Sequence, residues 1–96
     1  MPFEWDEAKN RSNIRKHGIS FEQAIQIFDG PVLSWDDDRR DYGEARTISV
    51  GMMMTIAILT VVHTDRCGAA RIISARTASR AERRLYEKAL QQTDDA

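Results

Sequence analysis

With 96 residues and a formal net charge of −1, the chain is too short for two ordinary cores, yet long enough to fold as one domain, residues 1–96, without a metal or disulfide staple. Cys67 is its single cysteine, which excludes an internal disulfide and fits a reducing cytoplasm. The opening MPFEWDEAKN has neither a basic leader nor an apolar stretch, and the longest apolar run, Ile56 to Val62, is interrupted by Thr60, so neither a signal peptide nor a membrane span is expected.

A short aromatic segment, Phe3 to Trp5, precedes Asp6, which stands where a helix N-cap belongs; helix-tolerant residues follow to His17 and a terminating Gly18. This first helix is largely polar, so only Ala8, Ile14 and His17 offer themselves to a core. Ser20 and Gln23 form a capping box, and Phe21, Ala24, Ile25 and Phe28 recur at helical spacing, giving a second, short helix that Asp29-Gly30-Pro31 ends. From Val32 to Ala75 the pattern becomes β-branched and apolar runs between polar breaks, which predicts strands at Val32 to Asp36, Arg46 to Met52, Thr55 to Thr64 and Ala70 to Ala75. The third is apolar on both faces and is therefore central, whereas the second alternates and covers one face only. Ser79 and Glu82 form another capping box, opening a last helix whose Ala81, Leu85 and Ala89 face the sheet, and the polar tail from Gln91 to Ala96 is expected to fray. The fold class is α+β: two N-terminal helices, a four-stranded antiparallel sheet and a C-terminal helix packed on it, with the other face of the sheet left free.

The small net charge hides an asymmetry. Between Asp29 and Glu44 stand six acids and two bases, whereas between Asp65 and Lys88 stand seven bases and three acids. Such a separation suits contact with a polyanion through the C-terminal part, or consists of ordinary solvated faces. Eleven of the fourteen basic residues are arginine, whose planar fork matches phosphate oxygens better than the point charge of lysine.

Three places can carry chemistry. Arg76 and Arg80 flank the start of the last helix, where unpaired N–H groups and the helix dipole favour an anion; cations there oppose the dipole unless an anion is expected, the alternative being ion pairs with Glu82 or Glu87. His63, near the end of the central strand, is the side chain suited to proton exchange near neutral pH or, equally, a hydrogen-bonded structural histidine; His17 is read first as a helix cap. Tyr86, on the last helix, is either a proton donor or base-stacking ring, or packs with its hydroxyl exposed. No cysteine or histidine spacing fits zinc and no glycine loop fits a nucleotide cradle, so neither metal nor cofactor is expected. Asp36-Asp37-Asp38, which lacks the glycine and glutamate of a calcium loop, reads as a solvated loop or a surface for a basic partner.

These residues resemble a known family. FEWDEAKNRSNIRKHGISFEQA, with Phe3, Trp5, Asp6, Asn13, Lys16, His17, Gly18, Phe21 and Ala24 at the matching positions, is similar to the opening of the BrnT toxins; Asp41 to Gly51 and Arg71 to Glu87 are similar to the family's two later signatures. The resemblance implies a metal-independent endoribonuclease of RelE-like fold, the toxin of a bacterial toxin-antitoxin pair that inhibits translation. Its partners would be RNA as substrate and a cognate BrnA-like antitoxin that itself binds operator DNA and, if dimeric, brings two toxin copies together. Cleavage of this kind uses the ribose 2′-hydroxyl as nucleophile, so the protein orients the phosphate, stabilises its added charge and moves protons. Under this resemblance Arg76 and Arg80 stabilise charge, His63 or Tyr86 carries protons with Glu44 a further candidate base, and Arg71, Arg83, Arg84 and Lys16 hold RNA. The chain departs from the family pattern in Met52-Met53-Met54-Thr55, where neither Met54 nor Thr55 suits the positive φ of a tight hairpin, and at Thr77, where relatives often carry a base. The competing reading is a non-catalytic module that binds nucleic acid or a protein partner.

Overall fold

The helix ends follow from local hydrogen bonds. In the computed structural model, which describes residues 2–94, Asp6 accepts from the backbone N–H groups of Ala8 and Lys9 to open α1 (Glu7–His17), and Gly18, at φ 71°, donates its N–H to the Ile14 carbonyl to close it. Ser20 and Gln23 complete a reciprocal capping box at α2 (Phe21–Ala24), which tightens into a 3-10 turn over Ile25–Asp29. Ser79 and Glu82 do the same for α3 (Arg80–Asp94): Glu82 N–H donates to Ser79 Oγ, and Ser79 N–H donates to the Glu82 carboxylate. Helix α3 continues through Gln91 to Asp94, where the polar composition predicts fraying; the end of that tail, residues 95 and 96, lies outside the described residues.

The sheet has five strands, not four, and is mixed. Its order is β1-β5-β4-β3-β2, formed by β1 (Phe3–Glu4), β2 (Val32–Asp36), β3 (Thr47–Met53), β4 (Ala57–Arg66) and β5 (Ala69–Thr77). The last four make the antiparallel meander; β1 adds in parallel to β5, with Phe3 opposite Ala70 and Glu4 opposite Arg71. Two residues are too few to show a strand periodicity, which is why β1 escapes a reading of pattern alone. β4 is the middle strand, as its two apolar faces require.

Those two faces also correct the expectation of one free side. Leu59 and Val61 pack with Phe21, Ala24 and Ile27 beneath α2 and the 3-10 turn, whereas Ile58 packs with Val50, Ala78 and Tyr86 beneath α3. Helices therefore cover both sides. Under the first of these layers, Gly51 is the point of closest approach: a Cβ there would stand 2.8 Å from Ile27 Cβ and 3.0 Å from Val32 Cγ1, so only glycine fits.

Helix α1 turns an unexpected face inward. Ile14 is 43% exposed and His17 is exposed, while Asn10 and Asn13 are buried. The reason is that α1 lies against backbone edges rather than an apolar core. Asn13 Nδ2 donates to the carbonyls of Ile19 and Ala75, and its Oδ1 accepts from Ala75 N–H, so one side-chain amide satisfies Ala75 as a neighbouring strand would. Asn10 Oδ1 accepts from Phe21 N–H, and its Nδ2 donates to Glu7 and Glu22.

The β3–β4 hairpin turns through Met54 and Thr55 at φ 51° and 59°, the left-handed conformation that neither side chain favours. Ile56 N–H donates to the Met53 carbonyl and closes the turn regardless. The combined change Met54→Asn and Thr55→Gly is therefore expected to stabilise the protein by about 1 kcal/mol, the relief of left-handed strain being partly offset by the added freedom of glycine in the unfolded chain. Urea denaturation checks this: an unchanged or lower midpoint counts against strain in the turn.

Candidate active site

At the end of β5 the strand leads directly into the start of α3, and the side chains at this junction form one network. Arg76 lies opposite Thr60 in the β4–β5 register, so both face the α3 side. Glu82, one turn into α3, reaches back to them. Its carboxylate receives Arg76 Nη1 at 2.7 Å and Nη2 at 2.8 Å, the Thr60 hydroxyl at 3.0 Å and the Ser79 N–H at 2.8 Å. A carboxylate with this many donors stays ionised: the Arg76 guanidinium first of all holds Glu82 down to about 2, and Glu82 in turn raises Arg76. Arg76 is thus gripped end-on from one side and remains 38% exposed on the other, fixed in orientation with donors to spare.

A second pair stands close enough to be felt by the first. Asp37 is buried, not solvated as the run Asp36-Asp37-Asp38 suggests, and accepts from both Arg39 Nε at 2.7 Å and Nη2 at 2.8 Å. That fork holds Asp37 down to about 2 against the opposing effect of burial, and the positive charge of Arg39 reaches Arg76. Asp36 and Asp38 are exposed, so alternation along the end of β2 turns one acid of three inward. The alternation set by Leu33 and Trp35, carried on by two residues, is the signal that singles out Asp37 from its neighbours.

The other sequence candidates are distributed around this junction unevenly. Arg80, Arg83 and Arg84 are exposed on α3, near its N-terminus. Arg71, on β5, faces Glu4 of β1 at 3.9 Å. Glu44 is exposed and lies 3.3 Å from Arg46, whose guanidinium stacks over the Tyr42 ring at 3.9 Å. Lys16 is exposed on α1. His63 is not brought to Arg76: it follows Leu59 and Val61 on the opposite face of β4, where its ring meets Phe28 edge-on at 5.2 Å. There Ser49 Oγ lies 2.8 Å from His63 Nε2 and 2.7 Å from Ser34 Oγ, a chain of three groups across β2, β3 and β4, and burial lowers the His63 pKa. Tyr86 is 2% exposed and donates its hydroxyl to the Pro31 carbonyl, which ties α3 to the start of β2.

The carboxylate network has a pH signature. Because Glu82 and Asp37 sit below their ordinary values of 4.5 and 3.8, their stabilising effect is complete above those values and is lost as pH falls toward about 2. Urea midpoints measured along a pH series should fall through that interval, and Glu82→Gln should begin lower and fall less; an identical pH dependence in the variant would remove Glu82 from the account.

Residues 5–82 match the family model of the ribonuclease toxin, BrnT, of type II toxin-antitoxin systems. The chain belongs to this family. Membership in a type II system implies an antitoxin as partner. The structure is similar to the crystal structure at 1.1 Å resolution of the Brucella abortus ribonuclease toxin, BrnT, with a TM-score of 0.63 and 28% sequence identity over 83% of this chain and 99% of that one. No curated protein matches the chain. This BrnT-family chain has, among its described residues, no helix long and apolar enough to cross a membrane, and no group of three or more histidine, cysteine, aspartate or glutamate side chains placed to hold a metal.

Proposed function

We propose that this chain is an endoribonuclease that cleaves RNA by attack of the ribose 2′-hydroxyl on the adjacent phosphate, inhibits translation in doing so, works without a metal, and is held inactive by a BrnA-like, DNA-binding antitoxin, through which two toxin copies can be joined. The observation that carries this reading is the grip of Glu82 on Arg76 at the mouth of α3. A guanidinium clamped before the substrate arrives needs no reorganisation when negative charge builds on the phosphate, and this preorganisation is the source of its catalytic effect. Arg80, exposed on the first turn of α3, supplies a second cation beside the helix N-terminus. With His63 on the far face and Tyr86 buried, Glu44 is the proton carrier that this reading assigns, exposed beside Arg46.

Purified protein incubated with RNA in the presence of EDTA tests the proposal. Cleavage that survives the chelator and leaves a 2′,3′-cyclic phosphate supports it, as does growth arrest on expression that co-expression of the adjacent antitoxin frame relieves. The offset of Arg76 by Glu82 also suits a module that merely binds RNA. Intact RNA retained with a steep salt dependence would favour that reading.

A further inference from the structure

A groove of about 340 Å³ opens between α1 and β5. From α1 it is lined by Lys9, Ser12, Asn13, Lys16 and His17, which recur at helical spacing and so share one face; Arg46, Ile73 and Ser74 complete the lining. No acidic side chain lines it, and among the described residues neither Lys9 nor Lys16 makes an ion pair. Arg46 is the one lining cation with a partner, Glu44 at 3.3 Å, and the Tyr42 ring beneath it fixes its plane. The wall of the groove is stiff, because Asn13, between Ser12 and Lys16, is bonded to the backbone of Ala75.

Gathering cations without partners raises the energy of the empty protein, and an anion in the groove relieves it. The position of the groove says which anion. Ser74 and Arg76 stand two residues apart on β5, opposite Val62 and Thr60 of β4, and so face the same side of the sheet about 6.6 Å apart along the strand. That step is comparable to the spacing of successive phosphates along an extended nucleic-acid strand. We propose that the groove is a second phosphate subsite, which seats the RNA backbone one nucleotide away from the phosphate held by Arg76. Lys9 and Lys16 supply the charge, Ser12 and Ser74 the hydroxyl donors, and Arg46 a forked contact. The inference rests on the ribonuclease reading for the identity of the ligand.

The test uses a short RNA oligonucleotide methylated at every 2′-oxygen, which has no nucleophile and cannot be cleaved, with binding followed by fluorescence anisotropy over a range of salt. Both lysines are exposed, so Lys9→Gln combined with Lys16→Gln should not lower the thermal melt, and relief of their mutual repulsion should raise it slightly. Binding is expected to weaken about tenfold, and the slope of log K against log salt to shrink by about 0.7, the loss of one single-strand phosphate contact. In cleavage assays the same variant should raise KM with kcat unchanged, and a dinucleotide, with only one phosphate, should not respond to it. Unchanged affinity and salt slope would overturn the subsite, and so would an equal effect on the dinucleotide. If the wild type cleaves no RNA, the ribonuclease reading fails while the anisotropy series still decides the groove.

Discussion

Replacing Arg76 by alanine is expected to slow RNA cleavage by about 10²- to 10³-fold, the effect of removing one preorganised donor from a developing oxyanion. The loss should appear in kcat, since the contact strengthens as charge accumulates on the phosphate. The fold should survive, because Glu82 keeps two of its donors, Thr60 and the Ser79 N–H. Arg76→Lys separates charge from geometry: lysine restores the cation but not the fork, so it should recover only part of the rate. Glu82→Gln tests positioning instead. It leaves Arg76 in place but loosens its orientation, and should lower kcat less than Arg76→Ala does. Single-turnover kinetics on one RNA substrate, with far-ultraviolet circular dichroism as the control for folding, reads all three. Full activity in a folded Arg76→Ala protein would move the catalytic centre elsewhere.

Asn13→Ala is expected to destabilise the protein by about 3–5 kcal/mol, a large part of the 5–15 kcal/mol typical of a domain. The substitution removes three hydrogen bonds at once and leaves both backbone groups of Ala75 and the carbonyl of Ile19 without their partner in a site that is 6% exposed. Each unsatisfied buried group costs about 1–3 kcal/mol. Asn13→Asp is nearly isosteric and discriminates further: its carboxylate can still accept from Ala75 N–H but faces two carbonyl oxygens with no donor, so it should be no better tolerated. Chemical denaturation gives the values directly. A loss near that of an exposed asparagine would mean that α1 is held to β5 by other contacts.

Asn13 also illustrates why a pattern of apolar residues misjudges α1. Periodicity identifies the face that meets a hydrophobic core, and selects Ala8, Ile14 and His17. The face actually buried carries Asn10 and Asn13, because its neighbours are the unpaired backbone of β5 and the first turn of α2, and amides are what such neighbours require. The spacing of the two asparagines, one helical turn apart, is the signal that could have found them. Tyr86 is the reverse case. In sequence its ring and hydroxyl suit either chemistry or packing with the hydroxyl exposed, and the fold buries both to anchor α3 on Pro31.

What the chain determines by itself is local. Asp6, Gly18, the Ser20–Gln23 pair and the Ser79–Glu82 pair set helix ends through bonds between residues at most four apart, and the two apolar faces of β4 require a central position wherever its neighbours lie. The tertiary structure decided which groups meet across strands. A bulge between Val62 and His63 interrupts the β4–β5 register, and only that register shows Arg76 beside Thr60 and Glu82 while His63 turns to the other face. The physical reason is that strand pairing moves a side chain from one face to the other with each single-residue slip, so the composition of the face that carries Arg76 depends on hydrogen bonds between residues far apart in the chain.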